Sequence, residues 1–337
     1  MPDAMLSAVV ACYKDALAIP LLHARLSAAL TQLPVSYEII FVNDGSPDDT
    51  DSVLTELTSR DDHVLAVEHS RNFGSQNAFL SGMQLSTGDA VVLLDGDLQD
   101  PPELIPLFYA KWREGHDVVY GRRNQREGSR TFALLARLFY RIFRAASRVP
   151  MPLDAGDFAL LDRRVVDELL ALPETDQFLR GLRAWVGFRH TGVDYVRPER
   201  RFGRSTNGWL RHVWWAKKGI FSFSTAPIEL LGYLATAMTL FSACAGVWQI
   251  IGTLRHPGLS SGISGVIVAI AFFGSLNLLG IALVGEYVVK ALDETKRRPK
   301  FIRKAIRHRG QHFTQPSEFD AVLRSRTQAR GARPLER

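Results

Sequence analysis

Two long stretches without a charged residue constrain the fold of this chain more than any other feature. They cover residues 230–254 and 263–285 of a sequence of 337 residues. A helix needs about 20 apolar residues to cross a hydrocarbon core of about 30 Å, and each stretch meets that length. Helices buried in a soluble core are rarely free of charge for so long. The sequence therefore predicts two transmembrane helices within residues 227–292, joined by a short turn.

Basic residues flank both ends of the predicted hairpin. Arg211, Lys217 and Lys218 precede it, and a basic cluster over residues 290–304 follows it. Because positively charged segments next to membrane spans stay in the cytoplasm, both termini and the rest of the chain are predicted there. The basic segment 293–337 is predicted as a cytoplasmic tail, disordered from about residue 310 because its apolar residues show no periodicity.

Residues 201–226 combine basic side chains with several tryptophans. This mixture is typical of a membrane interface, and we predict a basic loop followed by an interfacial amphipathic helix. Aromatic and basic residues also bind single-stranded nucleic acid, but the neighbouring membrane spans argue against it, and we expect no nucleic-acid partner. Residues 130–148 are rich in arginine, contain no acid, and suit either a membrane interface or packing on a sheet.

Short apolar runs alternate with amphipathic segments in the first 200 residues. The runs, predicted as strands, cover residues 6–12, 37–42, 63–69, 89–94 and 117–120. Strand–helix–strand units connect parallel neighbours by right-handed crossovers. Residues 1–200 are therefore predicted as one α/β domain, an open and mostly parallel sheet flanked by helices. The first strand is not followed by a Gly-x-Gly-x-x-Gly sequence, which disfavours the common dinucleotide loop.

Acidic residues follow several of these runs. The run at 91–94 stops at Asp95 and Asp97, which are separated by Gly96. Ligands of open α/β sheets bind beyond the carboxyl ends of the strands. Two carboxylates there can hold a divalent cation such as Mg²⁺ or Mn²⁺, which also binds phosphate oxygens. A surface turn with solvated acids explains this pair equally well by itself.

The second run ends at Asp44, which has two possible uses. Its carboxylate can accept a hydrogen bond from a nucleobase N–H, or it can cap a turn or helix. Arginines follow the fifth run at Arg122 and Arg126. The planar guanidinium suits phosphate oxygens, although a solvated basic loop has the same composition.

Three motifs taken together resemble the family 2 glycosyltransferases. They are Val-Asn-Asp-Gly-Ser-Pro-Asp-Asp-Thr at 42–50, Ser-Arg-Asn-Phe-Gly at 70–74 and Leu-Leu-Asp-Gly-Asp-Leu-Gln-Asp-Pro-Pro-Glu-Leu-Ile at 93–105. The likeness is to the branch that transfers a sugar from a nucleotide donor to a polyprenyl phosphate, and it extends over residues 6–307. It implies a nucleotide-sugar-binding sheet domain of the GT-A type.

The resemblance also implies roles for individual residues. Asp44 would bind the base of the donor, and Asp95 would lie near its ribose and phosphates. Asp97 and Asp157 would lie at the reacting centre. The full nucleotide-sugar set is Ala11, Tyr13, Asp15, Asp44, Gly45, Asp95 and Gly96. The metal ligands would be Asp95, Asp97 and Gln99, and the lipid-phosphate set Arg122, Arg126, Arg201, Arg204 and Ser205.

One part of the motif departs from the family. The first strand usually ends in Pro-Val-Tyr-Asn-Glu, whereas this chain has Ala11-Cys12-Tyr13-Lys14-Asp15. The tyrosine and an acid are kept, so a base pocket is expected with an altered floor. The role of Asp157 also stays open. A phosphate monoester is mostly dianionic at neutral pH, so Asp157 either takes a proton or only orients the site.

The resemblance implies a metal-dependent, inverting transfer from a UDP- or GDP-linked sugar to undecaprenyl phosphate at the bacterial inner membrane. A homo-oligomer is compatible with it. One alternative is a processive polysaccharide synthase of the same superfamily, which usually needs more membrane spans. The other is a catalytically inactive membrane scaffold. The presence of Asp95, Asp97, Gln99 and Asp157 together argues against a scaffold.

Overall fold

The computed structural model describes residues 4–123, 155–175, 178–198, 226–255 and 263–331. These residues form two compact units, one around a β-sheet and one from two long helices. The strands of the first unit are β1 Met5–Cys12, β2 Ser36–Asn43, β3 Val64–His69, β4 Ala90–Asp95, β5 Val118–Arg123, β6 Ala155–Asp162, β7 His190–Tyr195, β8 Arg303–His308 and β9 Gln311–Phe313. Its helices are α1 Ile19–Leu30, α2 Thr50–Arg60, α3 Ser75–Leu85, α4 Ile105–Arg113, α5 Arg163–Ala171, α6 Leu179–Trp185 and, near the C-terminus, α9 Pro316–Gly331. The second unit contains α7 Ala226–Arg255 and α8 Ile263–Thr295.

The sheet is mixed, and the expectation of a mostly parallel sheet is wrong. Its strand order within the described chain is β7-β5-β6-β4-β1-β2-β3-β8-β9. Strands β1 to β4 pair in parallel, but β6 is antiparallel to both neighbours and β8 is antiparallel to β3. An alternation of strands and helices predicts parallel pairing only for strands that are joined by crossover helices. In this chain those strands are β1 to β4. The β8–β9 hairpin instead turns at Arg309 and Gly310, whose φ angles are +51° and +71°, as a tight turn requires.

The central strands are buried on both faces, which explains their continuous apolar sequences. Leu6, Ala8 and Val10 of β1 belong to the core beneath α1 and α4. Val9 points to the opposite face, where Gly82 of α3 allows the helix to touch it. This packing places the carboxyl ends of β1, β2 and β4 side by side, because Cys12 pairs with Asn43 and Ala11 with Asp95.

The C-terminal segment belongs to the sheet unit, so the expected disorder is wrong for residues 311–331. Strand β8 extends the sheet beside β3, and Arg307 Nη2 lies 3.1 Å from Glu68 Oε2. In α9, Arg326 forms an ion pair with the buried Glu38, and Phe319 is 9% exposed. Charged side chains of this segment are thus paired with acids far away in sequence. Such pairs leave no local periodicity, which is why the sequence reads as disordered.

The second unit consists of two long apolar helices. Its helix α7 spans 30 residues and α8 spans 33 residues. Within α8, Phe272–Thr295 is long and apolar enough to cross a membrane and is not buried, and it is the one such segment among the described residues. The two helices touch, since a Cβ on Gly280 would lie 3.4 Å from Leu231 Cδ2. Two helices therefore occur where the hairpin was expected, but one qualifies as a candidate span.

Candidate active site

The candidate site begins where β1, β2 and β4 end. The N–H of Gly96 donates to the carbonyl of Ala11 at 2.8 Å, which closes the loop after β4 against β1. A Cβ on Gly96 would lie 3.0 Å from Asp15 Oδ2 and 3.1 Å from Cys12 Sγ. Glycine is therefore favoured here by the close approach of Asp15 and Cys12. The structure brings together Ala11, Asp15, Asp95 and Gly96, four members of the expected nucleotide-sugar set.

Three acids gather in the loop after β4. Asp97 and Asp100 are 6% and 1% exposed. Asp100 accepts hydrogen bonds from the N–H of Asp95 and the hydroxyl of Tyr195, both at 3.2 Å. Asp97 Oδ1 accepts from the N–H of Gln99 at 3.1 Å. These bonds fix the loop and hold several negative charges close together.

The acids of this loop act on one another electrostatically. Burial raises the pKa of Asp95 well above its ordinary value, and the negative charges of Asp100 and Asp97 raise it further. Arg197 opposes this shift, but its Nη2 is 3.9 Å from the Oδ2 atoms of both Asp95 and Asp97. Its Nε is buried and has no hydrogen-bond partner in the described part of the chain. A cation between the two carboxylates would stabilise their charged forms.

The donor set of this loop fits a divalent cation that shares its ligands with a substrate. The described residues contain no group of three or more His, Cys, Asp and Glu side chains able to enclose a metal. Asp95 and Asp97 supply two carboxylates, and Gln99 supplies an amide oxygen while its Nε2 donates to the carbonyl of Pro198 at 3.3 Å. Oxygen ligands of this kind suit Mg²⁺ or Mn²⁺, whose remaining positions are commonly filled by phosphate and water.

Asp44 is surrounded by donors from the protein itself. Its Oδ1 accepts from His69 Nδ1 at 2.8 Å and from the N–H of Phe73 at 2.9 Å. Its Oδ2 accepts from the N–H of Gly74 at 2.7 Å. A side chain at Gly45, where φ is +63°, would come within 2.7 Å of the backbone of Arg71. Asp44 thus connects the end of β2 to the loop before α3, a structural role that the sequence had offered as an alternative.

The loops after β1 and β2 are also joined. Asp15 Oδ2 accepts from the N–H of Tyr13 at 2.9 Å, and the N–H of Lys14 donates to Ser46 Oγ at 2.8 Å. Lys14 has a φ of +62°, a conformation that asparagine adopts more readily than lysine. The Tyr13 side chain is 37% exposed beside this junction. A flat, accessible ring is therefore present next to Asp15.

Asp157 lies on β6 in a two-pronged ion pair. Arg180 Nε and Nη2 contact its two carboxylate oxygens at 2.9 and 2.7 Å. Burial opposes the charged form, but the charge and hydrogen bonds of Arg180, with a contribution from Arg183, outweigh it and lower the pKa of Asp157 to about 2. Burial lowers the pKa of Arg183 to about 10, and this residue donates to the carbonyl of Gly156 at 3.1 Å. Asp157 is consequently an ion at neutral pH.

The lipid-phosphate set is described at one position. Arg122, at the end of β5, pairs with Asp194 of β7, with Nη2 2.9 Å from Oδ2. The other members lie outside the described residues: Arg126, Arg201, Arg204 and Ser205. The sequence did not assign His69, Arg180 or Arg197 to the site. The Leu-Arg-Gly-Leu-Arg run at 179–183 was the one available signal, because residues three apart share a helix face.

Comparison with known proteins decides the family. The glycosyl transferase family 2 model matches residues 7–170. An uncharacterized glycosyltransferase from Synechocystis is 38% identical over 298 residues, which are 88% of this chain and 94% of that protein. This chain belongs to glycosyl transferase family 2. The resemblance predicted from the sequence motifs is thereby confirmed, and the chain is a glycosyltransferase with an α/β fold of the GT-A type.

One further relative of this family 2 glycosyltransferase and one solved structure carry specific descriptions. The bactoprenol glucosyl transferase of Shigella phage SfII is 37% identical over 308 residues, which are 90% of this chain and 99% of that protein. Among solved structures, glucosyl-3-phosphoglycerate synthase from Mycobacterium tuberculosis, in complex with Mn²⁺, uridine diphosphate and phosphoglyceric acid, is 19% identical. It covers 65% of this chain and 76% of its own, with a TM-score of 0.46.

Proposed function

We propose that this glycosyltransferase transfers one sugar from a UDP- or GDP-linked donor to a polyprenyl phosphate, namely undecaprenyl phosphate. The observation that carries the proposal is the pair of carboxylates after β4, Asp95 and Asp97, which lie close together beside Arg197. It occurs in a chain 37% identical, over almost the full length, to a bactoprenol glucosyl transferase. A donor diphosphate with a divalent cation supplies both the phosphate oxygens and the positive charge that such a loop favours.

Asp95, Asp97 and Gln99 would hold Mg²⁺ or Mn²⁺. When bound, the cation would neutralise charge on the departing nucleoside diphosphate. The protein's own residues orient the donor. Asp44 offers an acceptor to a uracil or guanine N–H, and Tyr13 offers a ring for the base, with Ala11, Asp15, Gly45 and Gly96 shaping the pocket by close approach.

The acceptor phosphate oxygen would attack the anomeric carbon while the bond to the donor diphosphate breaks, which inverts that carbon. Asp157 is a poor candidate for a proton acceptor, because its pKa is about 2 and a catalytic base works best near the operating pH. The acceptor is mostly dianionic at neutral pH and needs no base. We therefore assign Asp157 the role of holding Arg180. Arg122, Arg126, Arg201, Arg204 and Ser205 remain proposed contacts of the lipid phosphate.

The membrane attachment is part of the proposal. The candidate span Phe272–Thr295 and the neighbouring helix α7 support a two-pass anchor within residues 227–292, preceded by the interfacial segment 201–226. The basic flanks support a position of the catalytic unit and both termini on the cytoplasmic face of the bacterial inner membrane, where nucleotide sugars are available. A homo-oligomer in the bilayer is compatible with this arrangement.

The test is a screen of nucleotide sugars against the purified full-length protein in the presence of Mg²⁺ or Mn²⁺. Each donor is incubated with and without undecaprenyl phosphate, and the product mass is measured. The proposal expects a lipid carrying a single sugar, formed only when undecaprenyl phosphate is present. A ladder of polymer masses formed without the lipid would favour a processive synthase. Absence of turnover with every donor would favour the inactive scaffold.

A further inference from the structure

The chain returns to the end of β3 directly after the helical unit. Helix α8 ends at Thr295, and the N–H of Ser70, which follows β3, donates to the carbonyl of Ile302 at 3.0 Å. The neighbouring Phe301 ring stacks on the imidazole of His69, with centroids 5.3 Å apart and planes inclined by 7°. Arg303 lies 4.9 Å from the centre of the same ring and donates to Ser81 of α3. Phe301 is thus held against His69 by the contacts of Ile302 and Arg303, the two residues that follow it.

His69 connects this ring to Asp44. The side chain of His69 is fully buried. The Phe73 ring packs edge-on against it, with ring centroids 5.7 Å apart. Its Nδ1 is 2.8 Å from Asp44 Oδ1, whereas its Nε2 has no hydrogen-bond partner among the residues that the structure describes. Because a carboxylate only accepts, Nδ1 carries the proton of this contact. An imidazole buried with one nitrogen unsatisfied is costly, and the contact that it does make is the one to Asp44.

The contacts of Asp44 leave room for one more donor. A carboxylate has about four lone-pair positions, two on each oxygen. His69 and Phe73 donate to Oδ1, and Gly74 donates to Oδ2. The remaining acceptor position is therefore on Oδ2. His69 fixes the plane of the carboxylate, and with it the direction of that position.

We propose that His69 and Phe301 are positioning residues for the donor's nucleobase. His69 orients Asp44, and Phe301 keeps His69 in place. The inference rests on the proposed function, in which Asp44 accepts from the base. It adds that the donor pocket is completed by a segment that follows the helical unit in the sequence. Residues 1–200 alone would then lack part of the pocket.

The experiment uses the full-length protein and measures binding of UDP and of GDP by titration calorimetry, together with initial rates. Phe301→Leu removes the ring, and His69→Ala removes the donor to Asp44. Loss of one orienting contact is expected to weaken nucleotide binding and raise the donor KM about tenfold, with kcat changed less than about twofold. The KM for undecaprenyl phosphate should stay the same. His69→Asn, which keeps an N–H donor, should recover much of the affinity.

Phe319→Leu is the matched control, since Phe319 is a buried ring of the same C-terminal segment. It should lower the melting temperature without changing the donor KM. The inference is overturned if Phe319→Leu and Phe301→Leu have the same effect on donor KM, or if the latter lowers kcat alone. If Phe301→Leu does not fold, the comparison of His69→Ala with His69→Asn decides the matter, since only the first removes the donor to Asp44.

A further variant separates this inference from its premise. Unchanged nucleotide affinity in Asp44→Asn would overturn both the assignment of Asp44 and the positioning roles. A wild-type protein that binds nucleotide but transfers no sugar to lipid would overturn the proposed function. In that case the effects of His69→Ala and Phe301→Leu on nucleotide binding would still support or refute the inference.

Discussion

Two acidic groups at the same edge of the sheet differ in the protein groups that surround them. Asp44, after β2, receives three hydrogen bonds from the protein. Asp95 and Asp97, after β4, have Arg197 at 3.9 Å, and burial with neighbouring acids raises the pKa of Asp95. The first carboxylate is oriented before any ligand arrives. The second pair gains stability when positive charge is brought to it.

Under the proposed function, this difference separates the carboxylate that would recognise the base from the carboxylates that would hold the metal. A pre-oriented acceptor loses little entropy on binding and suits a fixed partner such as a nucleobase. A loop in which several carboxylates lie close together suits a cation that enters and leaves with its phosphate ligand. Substitutions in the two groups should therefore fail in different ways.

The largest effect is expected for Asp97→Ala. Removing one of two carboxylate ligands should lower the transfer rate by on the order of a thousandfold, because the cation contributes several kcal/mol to the reaction. The fold should persist, as judged by circular dichroism and melting temperature. Asp62→Ala is the control, since that side chain is 76% exposed. Undiminished turnover in Asp97→Ala would remove the distinction between the two acidic groups.

Removal of metal should distinguish the groups without a mutation. Excess chelator is expected to stop transfer, and Mg²⁺ or Mn²⁺ should restore it. The added cation should also raise the melting temperature of the wild type, because it stabilises the crowded carboxylates, and should do so less in Asp97→Ala. Activity that persists in excess chelator would show that the loop works without a cation.

Variants of Asp157 and Arg180 test whether Asp157 positions Arg180 or acts as a base. Since it holds Arg180, Asp157→Asn and Arg180→Gln should each lower the rate by roughly ten- to a hundredfold, and the double variant should be no worse than either. A base would give a different result, because Arg180→Gln would leave it in place. Independent, additive losses would therefore contradict the positioning role.

The same pair predicts a pH dependence of stability. The pKa of Asp157 is about 2 in the folded protein, against about 3.9 in an unfolded chain. A depressed pKa stabilises the fold above pH ~4 and loses this contribution as the pH falls towards ~2, by about 2 kcal/mol in all. Urea unfolding at several pH values should show that Arg180→Gln is less stable than wild type near neutral pH. The difference should vanish near pH ~2, and a constant difference would contradict the ion pair.

The smallest effect on activity is expected far from the site, at Glu38 near the start of β2. Arg326→Ala breaks its ion pair with Glu38, but the N–H of Thr87 and the hydroxyl of Ser7 still donate to Glu38. We expect a loss of about 1–3 kcal/mol in unfolding free energy, with the KM values and the metal response unchanged. A changed metal response would mean that the acids of this sheet are not independent.

The part of the fold that could be predicted is the part encoded by local pattern. The apolar runs that became β1 to β5 and the acids after β2 and β4 were found because each signal lies within a few residues. Strand β6 and the order of residues 311–331 were missed, since both depend on contacts with strands that are distant in the sequence. The same holds within the site. Asp95 and Asp97 could be found from their spacing in the sequence. The pairs His69–Phe301 and Asp157–Arg180 join residues that are distant in the sequence and meet only in the folded protein.

Strand β8 also imposes an order of events during synthesis. Its partner β3 is made early, but residues 303–308 are translated only after both long helices. Until then the nascent sheet presents the bare edge of β3, and exposed strand edges recruit other chains. If the helices enter a bilayer as they emerge from the ribosome, that unfinished edge is held at a lipid surface and away from other nascent chains. Membrane insertion would then also protect the unpaired edge of β3 from other chains until β8 is made.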